Sequence, residues 1–157
     1  KNEAALSRAG DLAFARLNVR LGTVLAARGA SGAALARHRE ALALELVVLG
    51  SAHPDVAVTQ KNLGVLYLQR GDYEAARTAL QTAVVAAPGW AVAHENLGDL
   101  HAALARNQYE RAVALDRKNA AAAAKLELAR ELLAPPAAGR AATLPAAPAP
   151  AASPGKP

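Results

Sequence analysis

Residues 57–90 read AVTQKNLGVLYLQRGDYEAARTALQTAVVAAPGW, and the spacing of small and large residues along them decides the fold. Leu63-Gly64, Tyr67, Gly71-Asp72-Tyr73, Ala76, Leu80, Ala83 and Pro88 fall at helical intervals on either side of a short Gly-Asp turn. Gly64 and Ala76 are small enough to let two helices of one hairpin cross closely, and Tyr67 and Leu80 are large enough to fill space between them. Ala83 is small enough for a following helix to approach. Pro88 lacks the N–H that a continuing helix requires and so turns the chain.

The same pattern extends in both directions. RLGTVLAARG (20–29) and NLGDLHAALA (96–105) align with the central stretch on Leu21-Gly22, Leu63-Gly64 and Leu97-Gly98, so the motif recurs first at a longer and then at a shorter interval. The first two are each followed by a short loop and a second alanine-rich segment, GAALARHREALALELVVLG (32–50) and YEAARTALQTAVVAAP (73–88). Two antiparallel helices repeated in this way describe a helical solenoid. Composition agrees. The chain has 157 residues, 53% of them apolar but only 3% aromatic, and 44 are Ala. Alanine favours helix and close backbone approach, but it is too small for the thick core of a β-sandwich.

At these positions the chain resembles the tetratricopeptide repeat family. The resemblance implies an all-α fold: a short right-handed solenoid of helical hairpins with a C-terminal capping helix. The expected units are about 15–56, 57–90 and 91–118, with the capping helix at 120–134, all within a solenoid at 1–134. The first unit matches at Leu21, Gly22, Gly29, Ala34 and Ala41 and, in its 42-residue length, resembles kinesin light chain repeats and related bacterial proteins. Residues 1–9 then read as the end of a preceding helix, with Ala9-Gly10-Asp11 as the turn. The third unit opens with His94, Leu97 and Gly98 and closes with Tyr109, Ala112, Leu115 and Asp116, but about five residues between them are missing. Either Arg106-Asn107 forms a very tight turn or one helix runs from about 91 to 117. The stripe of Leu97, Leu100, Leu104 and Leu115 favours the single helix. This contracted ending is similar to the closing repeat of certain exported proteobacterial proteins. Asn119 is expected to cap the final helix, whose stripe of Ala122, Leu126, Ala129 and Leu133 would seal the solenoid's open end. Residues 135–157 hold seven of the nine prolines and nine alanines, which predicts a flexible tail.

The residues argue against catalysis. With no Cys there is no thiolate metal site or cysteine nucleophile. His94 and His101 share a helix face near Glu95 and Asp99. However, HENLGDLH lacks the i, i+4 histidine pair of a zinc protease, and the repeat pattern usually places large aromatics at these two offsets, packed on the neighbouring helix. His38 and His53 form no pattern. Ser7, Ser31, Ser51 and Ser153 sit in turns or the tail, and RGASGAALAR has no lysine to hold a phosphate. No catalytic residue, metal or cofactor is expected. The net charge of +5 is spread among acidic residues, and the five aromatics (Phe14, Tyr67, Tyr73, Trp90 and Tyr109) mostly occupy core offsets. A solvated helical surface accounts for this better than a nucleic-acid stripe. No apolar run reaches the roughly 18–20 residues that span a bilayer.

The family's concave face remains. By resemblance, the groove-facing offsets are Arg16, Val19, Arg20 and Thr23 in the first unit. Val58, Lys61, Asn62, Val65 and Gln69 follow in the second, and Val92, Glu95, Asn96 and Asp99 in the third. Intervals of three and four put each set on one helix face. Asn62 and Asn96 are equivalent and would either form a ladder of amides gripping a peptide backbone or bond adjacent helices. The carboxylate clamp of chaperone-tail repeats is not matched: only Asn62 fits. Cations at one end (Arg16, Arg20, Lys61) and carboxylates at the other (Glu95, Asp99) predict a partner segment of opposite polarity. The sequence reads as a protein-interaction module, with a fixed subunit of a larger bacterial assembly as the competing reading and self-association open. The missing initiator Met and the tail suit an exported protein; a cytoplasmic fragment fits almost as well.

Overall fold

The structure is a computed structural model and describes residues 2–134, so the expected tail at 135–157 lies outside the described residues. The described residues form six helices: α1 (Asn2–Ala27), α2 (Ser31–Leu49), α3 (Pro54–Gln69), α4 (Tyr73–Ala86), α5 (Ala91–Leu115) and α6 (Ala120–Leu133). Local chemistry sets their starts. The Ala75 N–H donates to Asp72 Oδ1 at 3.2 Å at the head of α4, and the Ala122 N–H donates to Asn119 Oδ1 at 2.9 Å at the head of α6. At α3 the Asp55 N–H donates to His53 Nδ1 at 3.1 Å, with Pro54 in the first turn, where its absent N–H costs nothing.

The helices pack as hairpins, α1 on α2, α3 on α4 and α5 on α6. Each later hairpin leans on the one before it: α3 meets α2 and α1, and α5 meets α4 and α3. The core follows this order. Leu63 and Leu66 of α3 cluster with Ala34 and Leu35 of α2 and Ala79 of α4. Leu80 and Ala76 of α4 cluster with Leu100 of α5. A buried leucine contributes about 2 kcal/mol and an alanine methyl under about 1, so these few leucines carry the stack while alanines permit its closeness.

The glycines mark the tightest crossings. A Cβ on Gly64 would lie 2.5 Å from Leu80 Cγ, and one on Gly22 would lie 2.8 Å from His38 Nε2. The third Leu-Gly pair does not repeat this, since a Cβ on Gly98 would meet nothing within 4 Å. The reason is the contraction of the third unit. α5 is one helix through Arg106-Asn107, and α6, with 14 residues, is about 21 Å long. Folding back from residue 115, it ends before it reaches Gly98.

Several sequence expectations need correction. The chain does not turn at Ala9-Gly10-Asp11, because α1 is continuous from Asn2 to Ala27. One glycine costs a helix about 1 kcal/mol, good helix formers flank it, and nothing packs on Gly10 to fold the chain back. Leu115 does not extend the apolar stripe of α5: it is 90% exposed. In α6, Ala122, Leu126 and Ala129 are buried and Leu133 partly so, but Leu128 and Leu132 remain exposed, so the end is not sealed.

Candidate functional site

The first two sets of groove offsets come together along the seam between α1 and α3. A cleft of about 220 Å³ is lined by Arg16, Val19 and Arg20 of α1, Asp55, Val58 and Thr59 of α3, and Glu45 of α2. Further along the same two helices, a smaller cleft of about 100 Å³ is lined by Thr23, Ala26, Lys61, Asn62, Val65 and Gln69, with His38 and Leu66 beneath. Arg16 to Ala26 spans about 15 Å of helix, the length of four or five extended residues. Val92, Glu95, Asn96 and Asp99 of α5 lie outside both clefts.

Electrostatics at the seam differ from the simple sign change that the sequence implied. Arg16 pairs with Asp55 at 3.5 Å. Glu45 adds a second carboxyl to the same cleft, so the end expected to be cationic is close to balanced. Arg20 has no ion-pair partner among the described residues. The Lys61 ammonium stands 5.9 Å from the centre of the Trp90 ring, and its partial burial lowers its pKa. The amide ladder is also incomplete. Asn96 Nδ2 donates to the Val92 carbonyl at 2.7 Å, tying that side chain to its own helix, while Asn62 opens onto the cleft.

Sequence spacing missed a buried polar set behind the seam. Asn18 of α1, His38 and Glu45 of α2, and Thr59 of α3 are each no more than 3% exposed. Burial raises the Glu45 pKa, Thr59 beside it pulls the other way, and the Asp55 charge adds to the rise. The Thr59 hydroxyl does not reach hydrogen-bond geometry, and Asn18 Nδ2, His38 Nδ1 and Glu45 Oε2 are likewise unpaired. Burial, and then Lys61, lowers the His38 pKa, which keeps its imidazole neutral against Gly22. The signal was present in α2: Ala34, His38, Ala41 and Glu45, at intervals of four, three and four, form its buried stripe.

A family model for the tetratricopeptide repeat matches residues 13–88. That span, just under half of the chain, is similar to tetratricopeptide repeats. A search of curated proteins finds no match to the chain. The matched span holds both clefts and ends at Pro88, so the contracted α5–α6 hairpin falls outside it. The two histidines expected at its aromatic offsets are not packed as expected. His94 and His101 are exposed, and His94 Nε2 lies 2.8 Å from the Pro88 carbonyl, bracing the loop into α5. No group of three or more His, Asp or Glu with metal-site geometry occurs among the described residues. No helix among them is long and apolar enough to cross a membrane.

Proposed function

We propose that the chain is a non-catalytic protein-interaction module that seats an extended segment of a partner protein along the α1–α3 seam. Tetratricopeptide repeats generally mediate protein–protein interaction or scaffolding. The supporting observation is that the two clefts follow one another along the same pair of helices, α1 and α3, and between them take in most of the offsets that the repeat pattern assigns to its groove. The seam offers a graded set of contacts to an extended backbone. Val58 and Val65 give apolar floor, Asn62 and Gln69 can both donate and accept, and Arg20 supplies an unengaged cation at the rim. With Arg16 neutralised by Asp55, the polarity that matters is local to Arg20, and an acidic residue of the partner would face it.

The test is binding to an array of extended peptides of varied charge. Asn62→Ala and Arg20→Glu should each weaken the best binders by about tenfold, the value of one hydrogen-bonded or charged contact. Arg111→Glu on α5, outside both clefts, should leave binding intact. Equal loss from the seam variants and the α5 variant would refute the seam as the binding surface.

A further inference from the structure

Each odd-numbered helix carries a stripe that inserts against the preceding hairpin. In α3 the stripe is Val56, Thr59, Leu63 and Leu66, which are 0–3% exposed. Leu63 and Leu66 pack there on Ala34 and Leu35 of α2. In α5 the positions equivalent by the Leu-Gly alignment include Ala93 and Leu100, both 0% exposed. Carried back to the first unit by the same alignment, the α3 stripe becomes Phe14, Leu17, Leu21 and Val24 of α1. They are larger and more apolar as a set, and they are 53%, 60%, 42% and 50% exposed. Among the described residues, nothing covers this insertion face of α1.

The complementary half sits at the other end. Ala26 of α1 packs on a cluster that includes Leu63, Leu66 and Ala79 of the next hairpin, and Leu68, its equivalent in α3, packs on one that includes Leu100 of the next. The third member of this series is Ala102 of α5. It lines a cleft of about 230 Å³ between α5 and α6 that no other described residue fills. Ala105 and Tyr109 complete one wall and Lys125, Leu128, Ala129 and Leu132 the other, with the Lys125 ammonium 5.9 Å from the centre of the Tyr109 ring. Leu128 and Leu132 are 65% and 68% exposed. A solenoid that stands alone closes its ends with polar outer faces. Among the described residues, an insertion face lies uncovered on the first hairpin and a receiving groove on the last.

We infer that the chain stacks head to tail on a second copy of itself, the Phe14–Val24 face of one copy entering the α5–α6 groove of the next. The contact continues the interface already present between successive hairpins into the neighbouring molecule. It uses different surfaces on its two sides, so each added copy leaves one head and one tail available and the assembly grows as an open chain. The α1–α3 seam is no part of this contact and stays accessible.

Sedimentation velocity of the full chain tests this. The average mass should rise past that of a dimer as concentration increases. Phe14→Glu with Leu17→Glu disables the head, and Leu128→Glu with Leu132→Glu disables the tail. Each double variant alone should remain monomeric, while an equimolar mixture should give a dimer and nothing larger. A wild-type chain that stays monomeric throughout the series would overturn the inference. So would a tail-disabled variant that still pairs with itself, which would reveal a symmetric α1–α1 contact, or a mixture that fails to dimerise. Helicity by circular dichroism, matched to wild type, ensures that lost association is not lost folding. Leu17→Lys and Leu128→Lys, as single changes, serve if either double variant unfolds.

Discussion

Gly64 and Gly98 occupy the same place in the repeat pattern, yet opposite outcomes are expected on giving each a methyl group. At Gly64 the new Cβ would stand 2.5 Å from Leu80 Cγ and 3.4 Å from the Leu80 nitrogen, inside a crossing with no room to part. Overpacking of this kind costs about 1–3 kcal/mol, more than the roughly 1 kcal/mol that alanine gains in helix propensity. At Gly98 no atom stands within 4 Å, so only the propensity gain remains. Urea denaturation should show Gly64→Ala less stable and Gly98→Ala more stable than wild type by about 0.5–1 kcal/mol. His38 presents the same residue-scale geometry with a titratable group: it lies over Gly22 as Leu80, its equivalent in the next hairpin, lies over Gly64. Its lowered pKa means that the folded state resists a proton that the unfolded chain accepts below about 6.5. Stability should therefore decline as pH falls through 6.5 toward the folded value. His38→Leu should flatten that limb of a pH–stability curve, and an unaltered slope would show that another group governs it.

Among the elements, α2 explains what was legible in sequence and what was not. Hairpin positions are readable because glycine, proline and capping residues act locally: Asp72 and Asn119 declare the starts of α4 and α6 without reference to the rest of the molecule. The residues of α1 and α3 that line the two clefts share helix faces that intervals of three and four fix, while the choice of those faces came from the family resemblance. Glu45 is different. It reaches the α1–α3 seam from the second helix of the first hairpin, and no interval within α2 reveals which neighbouring cleft a buried residue will meet. The long α5 was foreshadowed by the missing residues, whereas the unbroken α1 was hidden because Gly10 reads as a turn when nothing shows that it lacks packing partners. The buried stripe of α2 also makes a prediction. The raised Glu45 pKa means that the folded state holds a proton more firmly than the unfolded chain. Its contribution is thus full below pH 4.5 and is lost as pH rises through the folded value. Glu45→Gln preserves the shape and removes the buried charge. It should raise the denaturation midpoint at neutral pH and add nothing below about pH 4. An equal gain at both pH values would place the effect in packing instead of charge.

Over the whole molecule, stability should be graded from the middle outward. In a solenoid each hairpin draws its support only from its neighbours, so α3 and α4, flanked on both sides, share the largest part of the core. The first turns of α1 have no such support: residues 3–10 are all exposed, and an isolated helical stretch of that length is marginal in water. Hydrogen exchange should accordingly find α3 and α4 slowest, α5 and α6 intermediate, and residues 3–10 exchanging almost as fast as an unfolded peptide. Head-to-tail stacking adds a signature that fraying does not share. As concentration rises, protection should increase over residues 14–24 and over α6 while α3 and α4 keep their rates, because only the two end surfaces gain a neighbour. Uniform protection across all six helices would instead mean that the molecule opens as one unit, with the end hairpins coupled to the centre more tightly than the packing between successive repeats provides.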